Sequence, residues 1–219
     1  MILDSEDAAR AWLETLPEWD GGAGERIERL VALLRAENER QNLVAAASLG
    51  AIWQRHIADS AQLLPHVPRE AASPWLDLGA GAGFPGLVVA ALRPDSKVHL
   101  VESRKRRIDW LESVCGELGL ANVAVHGCRV EALQLAPVRV ISARAFAPLP
   151  KLLDLSARFS TADTVWLLPK GRSAQHELDA LSGWSHMFHV EQSLTDREAG
   201  VITGTLSGRT MAAKKGRKS

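Results

Sequence analysis

Four glycines, Gly79, Gly81, Gly83 and Gly86, fall between the apolar run Trp75-Leu-Asp-Leu78 and a second apolar run, Leu87-Val-Val-Ala-Ala-Leu92. The pattern predicts a buried strand that turns sharply into a helix, with side chains removed where something approaches the backbone. The first turn of such a helix carries unpaired N–H groups and a partial positive charge, so it suits a carboxylate or a phosphate. Two spacings overlap here. Gly81-x-Gly-x-x-Gly86 is the dinucleotide pattern, whereas Asp77-x-Gly-x-Gly-x-Gly83 fits enzymes that use S-adenosylmethionine. A tight turn with no ligand is the plain alternative, although four glycines exceed what a turn needs.

Ligands of open α/β sheets sit outside the carboxyl ends of the strands, so the other predicted strand ends are candidate ligand contacts. Glu102 ends the second strand, where an acid can accept hydrogen bonds from both hydroxyls of a ribose; the alternative is an acid favoured by the dipole of the next helix. His126-Gly-Cys-Arg-Val-Glu-Ala132 follows the third strand. There the backbone N–H groups of Val130 and Glu131, with the Glu131 carboxylate, are candidate adenine contacts, or Arg129 and Glu131 form a surface ion pair worth little. Ser142-Ala-Arg-Ala-Phe-Ala-Pro-Leu149 follows the fourth strand. Arg144 suits bidentate binding of a carboxylate or phosphate and Phe146 suits stacking on a base; alternatively Phe146 plugs the sheet edge and Arg144 is solvated. Lys170, at the end of the fifth strand, is a further candidate for a phosphate. Arg104-Lys-Arg-Arg107 places cations at a helix start, which its dipole disfavours, so either RNA phosphates compensate them or the face is simply solvated. His56 and Asp59 lie one helical turn apart and are a candidate pair near the cofactor mouth, or a core histidine held by a helix-surface acid.

Positioning these residues requires alternating strands and helices. Strands are expected at Trp75–Leu78, Lys97–Glu102, Asn122–His126, Val138–Ser142 and Thr164–Leu168, then near Met187–Gln192 and Val201–Leu206. Helices are expected over Ser103–Leu118, Leu149–Arg158 and Gln175–Leu181. This calls for an α/β fold: a mostly parallel seven-stranded sheet with helices on both faces and an antiparallel pair at one edge. The first seventy residues read as a helical extension. One helix holds Ala8, Ala9, Trp12, Leu13 and Leu16, and a second holds Ile27, Leu30, Val31 and Leu34. Gly21-Gly-Ala-Gly24 is read as the break between them. A third stretch runs from about Leu49 to Leu64 with Ile52, Trp53, His56 and Ser60 on one side. The expected organisation is an extension over 1–70, a core over 71–210, and a basic, disordered tail over 211–219 that contains Lys214-Lys-Gly-Arg-Lys218.

The chain has 219 residues, 46% of them hydrophobic, and its 26 basic and 26 acidic residues cancel. Net charge therefore does not announce a nucleic-acid binder, and such binding has to come from local patches. The two cysteines, Cys115 and Cys128, lack metal-ligand spacing, so no metal is expected and both read as reduced, partly buried thiols. No secretion signal and no apolar run of membrane-spanning length is evident. A cytoplasmic monomer is the expectation.

Asp77-Leu-Gly-Ala-Gly-Ala-Gly-Phe-Pro-Gly86, Val101-Glu-Ser103, Arg129-Val-Glu131, Ser142-Ala-Arg-Ala-Phe-Ala147 and Lys170-Gly171 together resemble the RsmG (GidB) family. Asn42-Leu43 and Arg55-His-Ile-Ala-Asp-Ser60 resemble its N-terminal signature, with Val44 standing where the family usually carries threonine. The resemblance covers roughly residues 38–172. It implies the Rossmann-like fold of S-adenosylmethionine-dependent methyltransferases and transfer of a methyl group to N7 of one guanine in bacterial 16S (small-subunit) ribosomal RNA. It also implies cofactor contacts at Gly79, Phe84, Val130–Glu131 and Arg144, to which the fold adds Gly81 and Glu102. RNA contacts are expected at Arg104, Lys105, Arg106, Arg107, Phe146 and Lys170.

Guanine N7 has an in-plane lone pair and needs no deprotonation, so no general base is expected. Two other readings stay open at this point. One is an NAD-dependent dehydrogenase using Gly81-x-Gly-x-x-Gly86 and Glu102. The other is a non-catalytic RNA-binding or assembly factor with the same fold.

Overall fold

The computed structural model describes residues 1–71 and 73–210. Five parallel strands form the centre: β1 (Trp75–Leu78), β2 (Val98–Glu102), β3 (Val123–Gly127), β4 (Val140–Ser142) and β5 (Val165–Lys170). Three antiparallel strands extend one edge: β6 (Trp184–His186), β7 (His189–Gln192) and β8 (Gly200–Arg209). The order is β3-β2-β1-β4-β5-β8-β6, with β7 also paired to β8. The order reverses between β1 and β4, so the crevice expected of such sheets opens there.

The sheet has seven positions, as the strand count predicts, but eight strands. The run expected near Met187–Gln192 divides into β6 and β7, which follow one another along β8. The division coincides with a crowded backbone contact. At Gly204 (φ +136°) a Cβ would lie 2.3 Å from the Met187 carbonyl oxygen. Glycine permits that approach and that φ, and the strand paired to β8 kinks there.

Period-3.6 apolar stripes give the helices their buried faces. On one side of the sheet lie α4 (Gly86–Leu92) and α5 (Lys105–Glu117), with the N-terminal helices α1 (Glu6–Leu13) and α2 (Gly21–Asn38) in the same apolar cluster. On the other side lie α6 (Leu149–Ser156) and α7 (Ala174–Asp179). Gly21–Gly24 is not a break; it is the first turn of α2. Asp20 caps that turn by accepting the Ala23 N–H at 2.6 Å, and this cap supports a start that glycines alone would weaken.

The third N-terminal stretch is not one regular helix. A 3₁₀ segment, Ala46–Ala51, leads into a π-helix, Trp53–Ala58, which continues as α3 (Asp59–Ala61). Glu6 of α1 accepts the backbone N–H of Trp53 and of Gln54 at 3.2 and 2.8 Å, satisfying donors that a helix start leaves open. A buried pair ties the extension to the core: Arg93, after α4, donates to Glu18 at 2.8 Å and to the carbonyls of Leu64 and Val67. Breaking such a pair strands a buried charge and costs about 3 kcal/mol or more.

Candidate functional site

The loop after β1 takes the backbone shape that its glycines foretell. Gly79, Gly81 and Gly83 have φ of +67°, +56° and +104°, the left-handed region that side chains rarely adopt. A Cβ at Gly79 would lie 2.5 Å from the ring of Phe146, and one at Gly86 would lie 2.2 Å from Leu100. Those two glycines serve close packing. Gly81 differs, because the nearest atom to its Cβ position is the Gly79 carbonyl oxygen at 3.6 Å.

Asp77 is fully buried. Its Oδ2 accepts the Gly86 N–H at 3.0 Å and its Oδ1 accepts the Ser142 hydroxyl at 2.7 Å, while the Trp75 indole N–H donates to Ser142 Oγ at 2.8 Å. Burial pushes the Asp77 carboxyl up to about 7, against hydrogen bonds from Ser142 and Gly86 and the charge of Arg144. The start of α4 is therefore not an open anion site, contrary to expectation. Its Gly86 N–H belongs to Asp77, and the next two N–H groups bond to Gly83 and Pro85 carbonyls. A dinucleotide pyrophosphate needs that position free, so the geometry speaks against the dehydrogenase reading.

Glu102 ends β2 beside the glycine loop. Oε2 accepts the Gly81 N–H at 3.0 Å, and Oε1 accepts the N–H groups of Ser103 and Arg104 at 2.7 and 2.9 Å. One carboxylate thus fixes both loops, and Oε2 keeps a lone pair for another donor.

A cavity of about 510 Å³ opens at these strand ends. Gly79, Gly81, Phe84 and Glu102 line it together with Val130, Glu131, Arg144 and Phe146. The elements that position the last four are short. A 3₁₀ turn, Val130–Ala132, carries Val130 and Glu131, and Arg158 donates to the carbonyls of Val130, Glu131 and Leu133 from α6's end. In the loop after β4, Ala145 has φ +52°, a strained conformation of the kind that clusters at functional sites. Arg144 and Phe146 flank it. Arg144 forms an ion pair with Asp59 at 3.1 Å, meets His56 Nδ1 at 3.3 Å and lies 5.2 Å from the Phe84 ring centre. His56 stacks on Phe84 with ring centres 5.2 Å apart. Burial, then the charges of Arg144 and Arg55, hold the His56 ring down to about 3.

The family model described as rRNA small subunit methyltransferase G (GidB) matches residues 23–197. The chain belongs to the GidB family. It is 58% identical over 204 residues to ribosomal RNA small subunit methyltransferase G of Erythrobacter litoralis, covering 93% of this chain and 97% of that one. The protein of the same name from Novosphingobium aromaticivorans is 57% identical over 209 residues, covering 94% and 90%. A solved SAM-dependent methyltransferase from Aquifex aeolicus shares the fold, with TM-score 0.58 and 15% identity over 77% of this chain and 97% of that one. The fold of this GidB-family chain is thus the Rossmann-like methyltransferase fold, and the chain is a methyltransferase.

Several GidB-motif residues sit elsewhere than the spacing suggests. Lys170 is not free for a phosphate: its Nζ donates to Glu177 at 2.8 Å and to the Ala147 carbonyl at 3.1 Å, braced between β5 and α7. Arg106 and Arg107, exposed and half-buried respectively at the start of α5, are already engaged by the neighbouring backbone. They donate to the carbonyls of Arg40, Asn42 and Leu43 and so pin the segment after α2. Lys105 pairs with Asp109. Of that cluster, Arg104 and Arg107 also line the cavity. His56 and Asp59 do not pair with each other; both meet Arg144. Glu131 is exposed and pairs with Arg129 at 3.3 Å. Sequence reasoning missed Cys128 and Lys151, which also line the cavity, and Ser48, which bonds His56 at 2.8 Å. Cys128 directly follows β3, inside the strand-end loop His126–Ala132, and no sequence signal marks the other two. The basic tail 211–219 lies outside the described residues.

Proposed function

We propose that this chain transfers a methyl group from S-adenosylmethionine to N7 of a specific guanine in 16S ribosomal RNA. The observation that carries the reading is the cavity at the β1–β4 switch point, which combines the glycine loop, Glu102 and Arg144. The residues present suit the cofactor. Gly81 leaves open a space that a Cβ would fill, Glu102 Oε2 retains acceptor capacity for a ribose hydroxyl, and Arg144 offers N–H groups to a carboxylate. Phe84 and the Val130–Glu131 backbone suit the adenosine, one by apolar contact and the other by polar contact. When bound, the cofactor supplies an electrophilic sulfonium methyl to an attacking lone pair.

The protein's part is alignment and electrostatics. The cavity's lining carboxylates are Glu102, which already accepts three backbone N–H groups, and Glu131, paired with Arg129. Neither is poised as a base, and N7 needs none. Arg104 and Arg107 line both the cavity and an adjoining groove shared with Arg40, Lys105 and Arg106, which supports an approach of the RNA backbone from that side. Phe146, resting on Gly79, is offered for stacking on the base. A monomer is the proposed working unit. No helix among the described residues is long and apolar enough to cross a membrane, and the ribosomal substrate implies a cytoplasmic site of action. Deleting the gene should remove one 7-methylguanosine from small-subunit RNA; an unchanged methylation map would refute the assignment.

A further inference from the structure

Arg144 is held directly by one segment distant in sequence, residues 55–59. Its Nη1 donates to Asp59 Oδ2 at 3.1 Å and to the Arg55 carbonyl at 3.2 Å. Its Nη2 lies 3.3 Å from His56 Nδ1. Asp59 is fixed in turn by two donors on Oδ1, Gln62 Nε2 at 2.9 Å and Thr195 Oγ1 at 2.8 Å. Thr195 comes from the connection between β7 and β8, so the far edge of the sheet reaches the same carboxylate.

The hydrogen bonds dictate the state of His56. An arginine has no acceptor, so Nδ1 must carry a lone pair toward Arg144. Ser48 donates its hydroxyl hydrogen to the Ala45 carbonyl at 2.7 Å and therefore accepts at His56, 2.8 Å away. Nε2 must then hold the proton. Both ends require the same tautomer, so His56 orients Arg144 as a neutral ring.

A guanidinium has five N–H donors. Asp59 and the Arg55 carbonyl take the two on Nη1, and His56 takes one on Nη2. Among the described residues nothing accepts from Nε–H or from the second Nη2–H. In a guanidinium, Nε–H and one Nη2–H run parallel along one edge, the fork that matches both oxygens of a carboxylate. Resting on the functional reading above, we propose that His56 and Asp59 are positioning residues. They grip the far end of Arg144 and leave its Nε–Nη2 edge for the carboxylate of the cofactor's amino-acid tail.

The test compares S-adenosylmethionine with decarboxylated S-adenosylmethionine, which keeps the sulfonium and the adenosine and lacks the carboxylate. Asp59→Ala and His56→Ala should each weaken binding of S-adenosylmethionine roughly tenfold by calorimetry, the size of one charge-assisted hydrogen bond. Each should change binding of the decarboxylated analogue less than about twofold on the same scale. KM for S-adenosylmethionine should rise with kcat at saturation largely kept. His56→Asn, whose amide oxygen stands near the place of Nδ1, should recover most of the loss that His56→Ala suffers. Asp59→Asn keeps the shape without the charge and should fall between wild type and Asp59→Ala. Equal weakening of both ligands, or of neither, overturns the positioning role alone. A wild-type chain that binds neither ligand overturns the functional reading, and the positioning role with it.

Discussion

The glycine loop and the Arg144 loop face the same cavity and are built in opposite ways. The first is local. Asp77, the glycines and Glu102 lie within one strand–helix–strand unit, where the N–H groups of Ala80, Gly81, Gly83 and Gly86 find their acceptors. The second is assembled from a distance. Arg144 follows β4, but its orientation comes from Ser48, His56 and Asp59 in the N-terminal extension and from Thr195 at the opposite end of the chain. Damage to the first should appear as lost stability together with lost binding. Damage to the second should appear as lost binding in a chain that stays folded.

Gly86→Ala should break the local unit most severely. The added Cβ would meet Leu100 at 2.2 Å and the Asp77 carboxylate at 2.9 Å, and overpacking of this kind costs about 3 kcal/mol. Denaturant unfolding should show that loss, and a melt indistinguishable from wild type would place the helix elsewhere. Glu102→Ala comes next. It leaves the N–H groups of Gly81, Ser103 and Arg104 without their acceptor, worth about 2 kcal/mol of stability. Cofactor affinity should fall with it, whereas Asp59→Ala should lose affinity with a smaller fall in melting temperature, because Gln62 Nε2 and Thr195 Oγ1 keep other partners.

The Asp77 network gives the local unit a pH signature. The folded carboxyl is raised from 3.8 to about 7, so between those values the folded chain holds a proton that the unfolded chain has released. Stability from this group is complete below about pH 4 and lost as pH rises through 7, with a slope of up to about 1.4 kcal/mol per pH unit. His99, held down to about 4 by burial and by the neighbouring His126 and Lys97, works in the opposite sense: its contribution is present above about 6.5 and lost as pH falls. The difference between wild type and Asp77→Asn across pH 4–7 isolates the aspartate. A difference that does not vary with pH would show the carboxyl ionised throughout.

The smallest effects concern RNA. Arg104→Ala should weaken RNA binding a few-fold and reduce the salt slope by about one. Lys170→Met should leave RNA affinity within about twofold, because its ammonium is already engaged by Glu177. A large loss in the lysine variant would mean that the Glu177 pair opens on the substrate.

This contrast explains what could be read from the residues alone. The alternation of strands and helices, the strand ends and the glycine turn are written in short-range patterns, and the five parallel strands and helices α5 to α7 appear within a residue or two of their expected bounds, whereas the edge strands β6 to β8 depart further. Local spacing also marked Glu102 and Arg144 as strand-end residues. It could not show that Asp77 occupies the helix start, because that depends on how tightly α4 lies on β1. Nor could it show that Lys170, Arg106 and Arg107 satisfy carboxylates and carbonyls, since those partners lie across the fold. The π-helix that carries His56 has no sequence pattern distinct from an α-helix, and Ser48 and Thr195 look like ordinary surface hydroxyls until tertiary structure brings them to the same arginine.

The central claim is that the cavity between the glycine loop and Arg144 directs a cofactor methyl to guanine N7 in small-subunit RNA. Small subunits from cells lacking this gene, incubated with the purified chain and methyl-labelled S-adenosylmethionine, test it directly once the labelled RNA is digested and its nucleosides are mapped. The account predicts label in 7-methylguanosine at a single position, abolished by Arg144→Ala. Label on another atom, label at many positions, or no label with a chain that binds the cofactor would contradict it.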